Sequence, residues 1–367
     1  MATAVNTGWE RRTGWHRLTR GLHVLGEPTL IEELRAWQLV LPEESAFTHL
    51  SAAALYRWRL PEPVLSRPAP PLAADRRRTV PDSGVLDAAV PEPTGLEPAV
   101  PHPAVPDPAV PARVIREAVP RPTPSQPVFV ALPHDGFRPR RPGALASRLC
   151  QFPAPVLIDG CRVVLPEEAL LAAARDLGVL DLAVMADSAL QAGHCTREGL
   201  AAVARPKRPG SRRLRTVLPL LDARSESAWE SILRVLHHAA EIPVEPQYVI
   251  HDGAGLFVAR ADLRVVGTRR LHEYDGAVHR TPQQQTADLD RDRRLVNAGW
   301  QRIGFTAATL TRHGGAIVRE TDAALGRDFR PQRVARWNQL LAESTLTPRG
   351  RARIAARWRR ALPPPQS

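Results

Sequence analysis

Apolar positions along this chain follow two periods, separated by one long stretch where neither holds. In LIEELRAWQLVL, residues Leu30, Leu34, Trp37 and Leu41 recur at helical spacing, with Ile31 beside them, and THLSAAALYRWRL reads as a second helix opened by Thr48 or Ser51. Ahead of them, RLTRGLHVL reads as a short strand pair or wing around Gly21. PVFVALP reads as a strand, and APVLID with GCRVVLP as a strand pair turning near Gly160. EEALLAAARDLGVLDLAVMADSAL is helical with a break near Gly178, and HCTREGLAAVA is a short helix capped by Thr196. The apolar positions of the first of these stretches, Leu170, Leu177, Leu180, Leu182 and Val184, read as core, and Asp187 and His194 show no convergent partner in the sequence.

The pattern is most informative between residues 225 and 310. ESAWESILRVLHHAAEIP is a helix with Trp229, Ile232, Leu233, Leu236 and Ala240 on one side and Glu230 beside that side. A short strand, PQYVI, precedes a hairpin in which FVARADLRVV turns at Gly267 into RRLHEYD. TADLDRDRRLVNAGW is then an amphipathic helix with Leu289, Leu295 and Val296 expected inward and Gly299 as its stop. A last strand carries Trp300, Ile303 and Phe305, so the element order is α-β-β-β-α-β. RVARWNQLLAESTL reads as a further helix, ahead of a basic tail.

From Pro61 to Pro127 neither period survives. This stretch holds about half of the 37 prolines, which remove amide donors and fix φ, so an extended insertion is expected. The resulting division is 1–60 as a first unit, 61–127 as a proline-rich insertion and 128–220 as a mixed α/β scaffold. It continues with 221–315 as the region bearing the chemistry, and 316–367 as a helix and basic tail.

The formal net charge is +12, and Lys207 is the one lysine, so arginine carries almost all positive charge. A chain this basic associates with polyanions, and RPKRPGSRRLR (205–215) and RGRARIAARWRR (349–360) concentrate the charge. No apolar run reaches the length of a membrane span, and three cysteines without C-x-x-C spacing suit a reducing cytoplasm. Neither G-x-x-x-x-G-K-[ST] nor G-x-G-x-x-G occurs. The coherent chemistry is carboxylate. Glu273 and Asp275 alternate onto one face of their strand, and Asp262 can converge on that face across the hairpin. Carboxylates gathered in this way repel one another unless a hard cation sits among them.

Glu230, Asp262, the run EYDGAVH at 273–279 and DLDRDRRLVNAGW at 288–300 together resemble the PD-(D/E)xK, restriction-endonuclease-like superfamily. The resemblance is strongest to its branch related to very-short-patch-repair endonucleases. It implies an α/β, αβββαβ C-terminal domain and a Mg²⁺- or Mn²⁺-dependent DNA endonuclease. Asp262, Glu273 and the Tyr274 carbonyl would hold the metal, and Asp275 or His279 would position or deprotonate a water. Glu230 would anchor the metal's outer shell or bind a second ion, and Arg291, Arg293 and Arg294 would contact phosphates. Asp275 stands where the superfamily has a lysine, so a water-activating lysine is excluded. Residues 13–60 resemble a degenerate winged-helix N-terminus of antitoxin-type regulators, which implies contact with DNA or a protein partner. The alternative is a DNA-binding regulator or antitoxin that retains the nuclease fold without its catalysis.

Overall fold

The computed structural model describes residues 5–7, 15–60, 127–136, 141–276 and 282–361, with the backbone alone for His16, residues 282–285 and Ala361. All of these belong to one compact unit. The proline-rich insertion, apart from Pro127, lies outside the described residues, as does His279.

The strand pair expected around Gly21 is present as part of an antiparallel sheet of β1 (Val5–Asn6), β2 (Trp15–Thr19) and β3 (Leu22–Leu25), with β3 between the other two. Helix α1 (Leu30–Gln38) begins with a reciprocal cap: Thr29 accepts from the Glu32 amide, and the Glu32 carboxylate accepts from Thr29. Strand β4 (Ala46–Phe47) leads into α2 (His49–Leu55), which is buried along its whole length. The next strands are β5 (Val128–Pro133), β6 (Ala144–Leu149), β7 (Val156–Ile158) and β8 (Cys161–Val163). β4 lies at the centre of the sheet they form, in the order β6-β5-β4-β8-β7. The residues before the proline-rich stretch therefore share a sheet and a continuous core with those after it.

Helices α3 (Pro166–Ala173), α4 (Val179–Gln191), α5 (Arg197–Ala204) and α6 (Ser211–Val217) follow, with α3 and α4 parted at Gly178 as expected. Asp187, apparently partnerless in the sequence, forms a buried ion pair with Arg234, and its other oxygen accepts from the Asp222 amide. His194 accepts the indole N–H of Trp58 at 2.8 Å. The 205–215 arginines are largely engaged with the protein itself. Arg208 pairs with Glu168, while Arg213 and Arg215 donate to the carbonyls of Leu177 and Ala204.

The C-terminal half runs α7 (Ala228–Ala239), β9 (Val244–His251), β10 (Phe257–Val265), β11 (Arg270–Tyr274), α8 (Pro282–Asn297) and β12 (Gln301–Phe305), which is the expected α-β-β-β-α-β order. These strands form a mixed sheet in the order β12-β11-β10-β9, antiparallel except for the parallel β11–β12 pair. One expectation for α8 fails. Leu295 is buried, but Leu289 and Val296 are 67% and 68% exposed. Arg291, four residues before Leu295, faces the sheet instead, because a carboxylate waits there. Helices α9 (Ala307–Arg312), α10 (Gly314–Ala324), α11 (Pro331–Glu343) and α12 (Pro348–Ala361) close the chain. The basic tail is thus a helix, and Trp358 is buried with its indole N–H on Asp176.

Candidate functional site

The carboxylates singled out in the sequence gather where α7, β10, β11, α8 and β12 meet. The antiparallel β10–β11 ladder pairs Leu263 with His272; one step further on, Asp262 stands opposite Glu273. There the ladder gives way to a side chain, and Asp262 Oδ2 accepts the Tyr274 amide at 2.9 Å. Burial raises the Asp262 pKa to about 7, and the charges of Glu230 and Glu273 add to the effect.

Glu230 occupies the first turn of α7, where its amide donates to the capping hydroxyl of Ser227. Its Oε2 accepts from the Glu226 amide at 2.7 Å and from the Gln247 side-chain amide at 2.9 Å. The helix start thereby fixes Glu230, and burial raises its pKa. Gln247 reaches it from a left-handed backbone conformation (φ 54°) that is uncommon for a non-glycine residue.

Glu273 is 5% exposed, and both of its oxygens are taken by arginine. Arg291, on α8, donates to Oε1 at 2.5 Å and to Oε2 at 3.0 Å. Arg302, on β12, donates its Nε–H to Oε2 at 2.6 Å. The Nη2 of Arg302 donates to Asp275 at 2.6 Å, and its Nη1 lies 3.7 Å from Asp292. Burial opposes the charge on Arg302, but Glu273, Asp275 and Asp292 outweigh it and hold the guanidinium firmly protonated. The Tyr274 ring stacks on Trp229 with centroids 5.1 Å apart. Arg293 pairs with Asp290 at 3.6 Å in solvent, and Arg294 is exposed.

Four of the candidate acids, Glu230, Asp262, Glu273 and Asp275, thus meet in one cluster with Arg291. Arg302, Gln247 and Trp229 were missed as members. In the sequence Arg302 is one arginine among dozens; only the parallel register, which sets it opposite Leu271, brings it between Glu273 and Asp275.

Among the described residues, no three His, Cys, Asp or Glu side chains converge into a group that could hold a metal ion. The donor set explains this. The Glu273 oxygens meet two guanidinium groups, Asp275 meets one of the same pair, and Glu230 serves its helix and Gln247. In this arrangement the residues do not fit a divalent ion, whose ligands need lone pairs free of competing donors.

No family model matches the chain, and no solved structure matches it. It is 32% identical over 137 residues to an uncharacterized protein of Mycobacterium tuberculosis strain CDC 1551 / Oshkosh and to one of strain H37Rv. Each match covers 36% of this chain and 50% of the relative, so the chain spans about half the length of the curated relatives it matches.

Proposed function

We propose that the C-terminal region is a nucleic-acid-binding module whose carboxylate cluster is balanced by arginines rather than by a divalent ion. The observation that carries this reading is the double capture of Glu273 by Arg291 and Arg302. Two guanidinium groups on one buried carboxylate satisfy its lone pairs and supply the counter-charge that a metal ion otherwise provides. The net charge of +12 supports a polyanionic partner, and Arg294 is exposed on α8 near the cluster.

One observation favours a second reading, a Mg²⁺- or Mn²⁺-dependent endonuclease. Burial and the charges of Glu230 and Glu273 hold the Asp262 carboxyl well above the usual range, a cost that a cation bound among these acids would relieve. This reading requires Glu273 to exchange arginine for the ion.

Supercoiled plasmid incubated with and without Mg²⁺ or Mn²⁺, together with anisotropy of a labelled duplex, separates the two. The binding module gives affinity that falls steeply between about 50 and 200 mM salt and leaves the plasmid intact. Ion-dependent nicking that disappears in Asp262→Asn installs the endonuclease. No binding at about 50 mM salt and no nicking would overturn both.

A further inference from the structure

A second polar cluster lies far from these carboxylates in sequence, around a cleft of about 130 Å³ bounded by α2, β5, β6, α3 and α12. At its base His49 is 3% exposed and adopts a left-handed backbone (φ 54°), a costly conformation for a non-glycine residue. Its Nδ1 accepts the Leu50 amide at 2.7 Å, so the ring proton sits on Nε2. That Nε2–H reaches Asp176 Oδ2 only at 3.4 Å and out of line, so this buried donor is poorly satisfied. The neighbouring Thr48 is also buried, and its hydroxyl makes no capping bond.

The charges at the cleft are unequal. Asp176 is fully engaged, accepting from the Trp358 indole and pairing with Arg357, so these two charges cancel. Arg175 donates to the Ser147 hydroxyl at 2.9 Å, and among the described residues it forms no ion pair. Among the described residues, one positive charge therefore stands at the cleft without an ion-pair partner, near the buried His49 Nε2. The walls are apolar: the Phe129 and Trp358 rings meet edge to face with centroids 5.4 Å apart, and Leu145 and Ala172 complete them. The space approaches the roughly 150 Å³ cavity known to accept benzene.

We propose that this cleft binds a small organic monocarboxylate, its compact apolar body against Phe129 and Trp358 and its carboxylate on Arg175. A planar guanidinium suits a carboxylate, and the single uncompensated charge matches a monoanion. Inorganic phosphate would bring up to two charges toward Asp176 and leave the apolar walls uncovered. His49 donates to whatever polar atom the ligand places at the base.

The test is titration of the whole protein with benzoate, followed by tryptophan fluorescence and thermal melting. Benzyl alcohol supplies the same body without charge, and inorganic phosphate supplies charge without the body. Benzoate is expected to bind saturably and raise the melting temperature, with the other two weaker. Arg175→Ala, a change at an exposed side chain, weakens benzoate about tenfold or more. Ala172→Leu, which extends the α3 wall into the cleft, abolishes binding while the unliganded protein still melts cooperatively. Equal binding of benzyl alcohol, binding of phosphate alone, no binding of benzoate, or an unchanged affinity in Arg175→Ala would each overturn the assignment.

Discussion

Gly304 lies opposite Glu273 in the parallel β11–β12 ladder, and a methyl group on it would stand 1.8 Å from Asp275 Oδ2. The Asp275 carboxylate occupies the space that a side chain at 304 would fill, and this is how it reaches Arg302. Gly304→Ala should therefore push Asp275 off Arg302 and lower stability by about 1–3 kcal/mol, read as a shift in urea midpoint. In a double-mutant cycle with Asp275→Ala the two losses should fall well short of additive. Full additivity would show that the glycine serves another purpose.

Removing Arg302 leaves Glu273 buried with one partner instead of two. Arg302→Met keeps the length of the side chain and deletes the charge, and should cost about 3 kcal/mol near neutral pH. Combining it with Glu273→Gln should recover part of that loss, because the uncompensated carboxylate is then gone. A cost below about 0.5 kcal/mol for Arg302→Met would place the pair with ordinary surface ion pairs.

Asp262 makes stability depend on pH with a definite sign. Its folded pKa is about 7, and an unfolded aspartate titrates near 3.9, so between those values only the folded state holds the proton. Its contribution therefore falls as pH rises from about 4 to 7 and is lost above 7. Asp262→Asn should stabilise the protein above pH 7, by at most about 4 kcal/mol, and flatten this part of the profile. Urea midpoints at pH 5 and pH 8 check it: equal effects at both would mean that Asp262 is ionised throughout.

Behind the same sheet, His237 and His272 act in the opposite direction. His237 Nδ1 bonds to the Leu233 carbonyl, which only accepts, so its Nε2 accepts from His272 Nδ1 at 2.8 Å. Both rings are thus neutral, and His272 Nε2 is buried without a partner. Burial lowers His237 to about 4; burial, the repulsion that a second protonated ring would meet from His237, and the Arg270 charge lower His272 to about 2. The unfolded chain takes up these protons below about pH 6.5 and the folded state does not, so stability is lost as pH falls from there toward 4. A His237→Leu/His272→Leu variant should retain more of its neutral-pH stability at pH 5 than the parent does. A parallel loss in both proteins would remove the pair from the acid response.

The sequence legibly carried whatever rested on period and on local signals. The order from α7 to β12, the break at Gly178 and the Thr196 cap follow from apolar spacing and cap chemistry. The meeting of Asp262 with Glu273 followed from strand alternation across one short hairpin. What escaped depends on partners distant in the chain. Two-residue β4 has too few positions to show alternation, yet it lies at the centre of a sheet. Arg302 and Gln247 carry no local mark, and Arg291 reversed the expected burial of α8 because an ion pair with Glu273 outweighed the pull of Leu289 and Val296 toward the interior. Arginines that looked like a polyanion surface, such as Arg213, Arg215 and Arg357, are committed to carbonyls and carboxylates within the fold.

The placement of β4 bears on how this chain can change over time. Residues 61–126 join α2 to β5, and those two elements are held together through the first turn of α2: the Thr48 amide donates to the Phe129 carbonyl, and the Phe129 amide to Ser51 Oγ. The span therefore closes a loop whose entropic cost grows only with the logarithm of its length. Halving or doubling it shifts stability by about 0.6 kcal/mol, less than many single substitutions. Insertions and deletions can accumulate there almost without penalty, while a slip of one residue at β4 would misplace the centre of a sheet.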